Sequence, residues 1–209
     1  MNILQQSALG AMSAVLLITG VSQAAVLQDA ISWAYDKGLT SFNTDTSFMP
    51  NNNLRRDEAS KFLVEFAELV GMNTDDMLRN CSFSDVEKSR PDLKGYVATS
   101  CQYNILKGNN GEFWPDQSLT NAQIVTAVVR ILDNGGLQSE SGVTHWADNY
   151  YSRAQNLGLD LTKFWSKDTP ATRGNVIMFL YDAASGTASS SSDDEMDAIL
   201  QQLIDIIEG

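Results

Sequence analysis

Phe113-Trp114-Pro115-Asp116, followed closely by Leu119-Thr120-Asn121-Ala122-Gln123, leads into the apolar residues Ile124, Ala127, Val128 and Ile131. The apolar spacing is that of one helix face. Thr120 stands where a hydroxyl caps free helix amides, and Gln123 three places on completes a capping box. Read outward, the pattern occurs twice more. Upstream, Phe48-Met49-Pro50 and Leu54-Arg55-Arg56-Asp57-Glu58-Ala59 lead into Phe62, Leu63, Phe66 and Leu69, with Arg55 in place of the capping hydroxyl. Downstream, Phe164-Trp165 and Ala171-Thr172-Arg173-Gly174-Asn175 lead into Val176, Ile177, Phe179 and Leu180.

Another helix precedes each of these stretches. Ile31 to Leu39 closes on Gly38, Tyr96 to Ile105 ends near Asn104, and Trp146 to Leu159 ends at Gly158. Gly and Asn are the residues that take the left-handed conformation at a helix end. Each unit is thus helix, loop, helix, and a pair of short helices cannot bury its apolar faces alone. The expectation is an all-α fold. Its three helix-loop-helix repeats, 25–80, 81–140 and 141–186, pack around a pseudo-threefold axis with a groove between neighbours, although a linear stack satisfies the same sequence.

The chain has 209 residues, of which 43% are hydrophobic and four are proline, enough for a real core. Fourteen Lys and Arg stand against 26 Asp and Glu, a formal charge of −12. Such a surface does not track phosphates, so nucleic acid is excluded as a partner. Residues 1–24 read as a signal peptide: Ala8 to Val21 is almost free of polarity, and Ser22-Gln23-Ala24 supplies small residues for cleavage after Ala24. No Lys or Arg precedes the apolar run, and an uncleaved anchoring segment is the alternative. After cleavage no stable membrane span is expected.

Export gives the cysteines their meaning. Cys81 and Cys101 are the only two, and in an oxidising compartment they form a disulfide; two buried free thiols are the alternative. With the lone His145 they make no zinc site. Beyond Ser185 the run Ser189 to Ser192 reads as a linker within 187–209. It leads to a tethered amphipathic helix whose apolar face carries Met196, Ile199, Leu200, Leu203, Ile206 and Ile207. Such a helix folds back on the body or docks on a protein partner.

These pieces resemble the S-layer homology (SLH) family, on residues 26 to 185. The stretches that carry the resemblance are Cys81-Ser82-Phe83-Ser84-Asp85-Val86, Tyr96, Ile105-Leu106-Lys107-Gly108, Phe113-Trp114-Pro115-Asp116 and Leu119-Thr120. Partial matches lie at Leu54 to Ala59, at His145-Trp146-Ala147 and at Thr172-Arg173. The resemblance implies three helix pairs that attach an exported protein non-covalently to cell-wall polysaccharide linked to peptidoglycan, at the cell surface. It further implies that Arg56 and Arg173 contact an acidic sugar substituent, with Asn121 at the corresponding place, and that Asp85 helps order a groove. Asn121 hydrogen-bonds but cannot neutralise a carboxylate, which marks one groove as different.

Read from the residues, Trp114 and Trp165 fall in loops and either meet ligand or pack as core, whereas Trp33 and Trp146 fall on helices and belong to the core. Asp85 either orders a groove or caps its own turn. Lys107 and Lys163 add positive potential or are solvated surface. There is no phosphate-binding loop, nucleophile elbow or two-histidine metal motif, and no calcium loop. The expectation is a non-catalytic protein without cofactor or metal. The alternative function is an envelope scaffold whose repeats no longer bind polymer and whose C-terminal helix recruits a protein.

Overall fold

The computed structural model describes residues 23–73 and 81–186, with side chains from residue 26. The expected leader, apart from Gln23 and Ala24, and the C-terminal helix lie outside the described residues. Seven α-helices lie among the described residues: α1 (Gln23–Asp36), α2 (Asp45–Phe48), α3 (Arg56–Leu69), α4 (Lys94–Gln102), α5 (Asn121–Leu132), α6 (Asp148–Asn156) and α7 (173–186). Among the described residues there are no strands and only isolated bridges. The fold class read from the sequence is therefore borne out as all-α.

Local chemistry explains where these helices begin and stop. Gly38, Asn104 and Gly158 have φ of 81°, 59° and 75°, the left-handed positions anticipated after α1, α4 and α6. At the start of α5, Thr120 accepts from the Gln123 amide at 3.4 Å while Gln123 accepts from the Thr120 amide at 3.1 Å. Thr172 accepts from the Asn175 amide at 3.3 Å. At α3 the hydroxyl is replaced by the Asp57 carboxylate, which accepts from the Glu58 amide at 2.9 Å and is held by Arg55 at 3.0 and 3.1 Å. The one-turn α2, capped by Thr44, was not legible as a helix because four residues carry no periodicity.

The apolar faces meet in one core. Phe48, Phe66, Phe113, Phe164, Leu54, Leu119 and Tyr150 are essentially inaccessible. Helix α3 packs on α4 and α5, and α5 on α6. The connections are made by backbone. Leu119 N donates to Leu54 O at 3.1 Å, Ala171 N to Leu119 O at 2.9 Å and Leu54 N to Ala171 O at 2.9 Å, a closed ring of three bonds. Two further bonds flank each corner. The first two amides of α3 donate to Gln117 O and Pro115 O, those of α5 to Thr169 O and Lys167 O, and those of α7 to Asn52 O and Pro50 O, at 2.8 to 3.0 Å. Helix N-termini leave such amides without intrahelical partners. Here another loop satisfies them, at a separation that allows no side chain at one corner: a Cβ on Gly174 would stand 2.9 Å from Pro50 Cβ.

Cys81 and Cys101 are joined, as expected, tying the start of the segment 81–140 to α4. The bond closes a loop over a sequence separation of 20, a constraint that stabilises a fold by about 3 kcal/mol. Reduction should lower the melting temperature by about 6–12 °C for a chain of this size. Thermal melts with and without reductant check this, and coincident melts would contradict it.

Candidate functional site

The residues that open the long helices α3, α5 and α7 also reach across to loops. Arg56 Nε donates to Phe113 O at 2.7 Å and its Nη2 to Lys107 O at 2.9 Å. Arg173 Nε donates to Phe48 O at 2.8 Å. Asn121 Nδ2 donates to Ser166 O at 3.0 Å. All three residues are buried. The guanidinium carbons lie 4.7 Å from the Phe113 ring centre and 4.8 Å from that of Phe48, in cation–π contact.

The shorter Asn121 leaves a task undone, which Tyr151 of α6 performs. Its hydroxyl donates to Phe164 O at 2.6 Å, the place equivalent to Phe113 O and Phe48 O. Tyr151 is buried beneath Lys167, whose Nζ stands 4.8 Å above its ring. Burial and the neighbouring Asp168 raise its phenol above the ordinary range.

Asp85 is buried and accepts from the amides of Phe113 and Trp114, each at 2.8 Å. Burial pushes its carboxyl up, but the two amides outweigh it and hold the group below the ordinary carboxylate range. Trp114 is thereby fixed at φ 55°, with its indole N–H on Glu112 at 3.0 Å. Trp165, in contrast, is 56% exposed beside Tyr151. Trp33 packs edge-on against Tyr181, as a helix residue should. Trp146 departs from the expectation: α6 begins at Asp148, so Trp146 precedes it and is 37% exposed.

Three clefts lie beside the long helices at matching register. The first has Glu58, Lys61 and Phe62 of α3 as its floor and includes Arg90, Asp92 and Arg173, around a cavity of about 40 Å³. The second has Gln123, Thr126 and Arg130 of α5, with Arg56, Lys107 and Trp146, around about 130 Å³. The third has Asn175, Met178, Phe179 and Asp182 of α7, with Asp160 and Lys163, around about 350 Å³. Asn121 is not among the residues lining it.

Their electrostatics differ. Arg173 is neutralised by Glu58, Nη1 to Oε1 2.8 Å, with Glu58 itself 16% exposed. Arg56 has no carboxylate within ion-pair distance among the described residues; burial lowers its pKa to about 10, opposed by the field of Asp85. It remains a cation at neutral pH. In the third cleft burial raises the Asp182 carboxyl, and repulsion from Asp160 adds to it. Arg130 was not singled out in the sequence; the signal that could have found it is that Glu65 and Asp182 hold the same position, nine residues beyond the first residue, in α3 and α7.

The described residues are helical without strands, and clefts run along α3, α5 and α7. Residues 21–60 match the S-layer homology domain family, so the resemblance recognised in the sequence is borne out for that segment. Similar proteins include the surface-layer 125 kDa protein of Lysinibacillus sphaericus, 29% identical over 110 residues, 51% of this chain and 9% of that protein. A cellulosome-anchoring protein of Acetivibrio thermocellus is 30% identical over 119 residues, 49% of this chain and 25% of that protein. The matched part of the chain thus covers a quarter or less of these relatives. Among the described residues no helix is long and apolar enough to cross a membrane.

Two variants test the loop anchors. Asp85→Ala strands two amides and should cost roughly 2–4 kcal/mol in denaturant unfolding. Because the native carboxyl is held low, its contribution is complete above the unfolded value of about 3.9 and disappears as pH falls through the native value. Asp85→Asn should therefore flatten the acid limb of the stability profile; an unchanged limb would contradict the assignment. Tyr151→Phe should cost about 1–3 kcal/mol by leaving Phe164 O without its donor, and stability equal to that of the parent protein would refute the compensation for Asn121.

Proposed function

We propose that this chain is a non-catalytic protein of the cell surface that holds cell-wall polysaccharide linked to peptidoglycan, without cofactor or metal. Its repeats, 25–80, 81–140 and 141–186, pack around an approximate threefold axis; the closed ring through Leu54, Leu119 and Ala171 supports that arrangement. The leader, residues 1–24, directs export. Similarity to a surface-layer protein and to a cellulosome-anchoring protein supports the envelope setting.

The observation that carries the binding site is the unneutralised Arg56 beside an open cleft. A buried cation without a carboxylate partner carries a desolvation penalty that an anionic ligand relieves. Arg56 contacts the acidic substituent of the polymer, Asp85 and Trp114 fix the loop behind it, and Trp165 offers a flat face to a sugar ring. Arg173 and Asn121 occupy equivalent places, but Arg173 carries its own counterion and Asn121 carries no charge.

Co-sedimentation with cell-wall sacculi, intact or stripped of polysaccharide, tests this. Retention should vanish on stripping and fall about tenfold or more in Arg56→Gln, while Arg173→Gln stays within about twofold of the parent protein; melts confirm that each variant is folded. Protein that stays in solution with both preparations rules out polymer binding. The acidic third cleft and the neutralised Arg173 then favour the scaffold reading, in which segment 187–209 recruits a protein partner.

A further inference from the structure

We infer that Arg130 is a second ligand contact of the Arg56 cleft, and that the two guanidinia with the Thr126 hydroxyl clamp a compact oxyanion. This rests on the polymer-binding function proposed above and concerns which residues give the cleft its selectivity. Three observations converge. The first is the charge reversal: nine residues beyond the opening residue of each long helix stand Glu65, Arg130 and Asp182. Of these three only Arg130 is a cation, and it lines the cleft that also holds the unneutralised Arg56.

The second is an orphan. Thr126 is 2% exposed and lines this cleft, and its hydroxyl has no hydrogen-bond partner among the described residues. Lys61 and Met178 stand at its position in the other two. A buried hydroxyl left unpaired is costly, and a ligand acceptor would satisfy it. The third is the orientation of Arg130. Its Nε and Nη2 lie 3.4 and 3.2 Å from the Tyr150 hydroxyl and its Nη1 donates to Ile105 O at 3.3 Å, so the fork is held rigidly by buried partners. A cavity of about 130 Å³ has the volume of roughly four waters at about 30 Å³ each, room enough for a carboxylate or phosphate group.

Glu140 supplies a discriminating variant. Its carboxylate stands 3.7 Å from Arg130 Nη2 and is 52% exposed on its side chain, a weak pair that competes with an incoming anion. The full chain should be titrated with glucuronate, glucose 6-phosphate and neutral glucose while the Nε–H signals of Arg56 and Arg130 are followed by NMR. Either acid should shift both signals and glucose neither, and the tighter of the two acids identifies the oxyanion. Arg130→Glu should weaken the bound acid about tenfold or more, and Arg130→Lys, which keeps the charge without the fork, should fall between. Glu140→Gln should tighten it severalfold, a gain that a purely structural Arg130 would not produce. Unchanged affinity in both Arg130→Glu and Glu140→Gln, or equal shifts with glucose, would overturn the inference. Retention on sacculi by a folded Arg130→Glu variant at the parent level would also overturn it while leaving the wall-binding proposal intact.

Discussion

Three backbone hydrogen bonds, linking Leu54, Leu119 and Ala171 head to tail, are the constraint from which the rest of the molecule follows. No two of the three residues are near in sequence. Helices α3, α5 and α7 begin with amides that their own turns cannot satisfy, and each finds its acceptors in a loop distant in sequence. The loop in turn is shaped by a buried phenylalanine: Phe48, Phe113 or Phe164. Apolar burial supplies the driving force, but it is non-directional. The ring supplies the register, and with it the position of every residue that lines a cleft.

Within that shared backbone the side chains have diverged. At the first residue of each long helix, two arginines and an asparagine perform one structural duty, bonding a loop carbonyl. Their electrostatic circumstances are unlike. Arg173 is answered by Glu58 at 2.8 Å. Asn121 has passed part of its role to Tyr151. Arg56 alone of the three opens on a cleft as a cation without a counterion in reach among the described residues. Side chains at one position can therefore share a backbone duty while differing in the charge they present.

Much of this was legible in the sequence, for local reasons. Gly38, Asn104 and Gly158 announced helix ends, and Thr120 with Gln123 announced a helix start, because caps and stops depend on a few neighbouring residues. The disulfide followed from cysteine number and export. What stayed hidden depends on contacts distant in sequence. The bridges Arg55–Ser118, Thr120–Pro170 and Asn53–Thr172 are single pairs with no alternating pattern to betray them. Arg56 and Arg173 look alike until Glu58 is seen beside only one of them. Trp146 read as core because the helix was begun two residues early, and Arg130 drew no reading because its partners Tyr150 and Ile105 lie 20 and 25 residues away in sequence.

The most direct measurement is amide hydrogen exchange of the full chain with and without a soluble fragment of wall polysaccharide. The account predicts protection in the segments around Arg56, Lys107 and Gln123 to Arg130, with little change around Asp160 and Asp182. Protection centred on the acidic cleft of α7, or none in any cleft at saturating fragment, would contradict it.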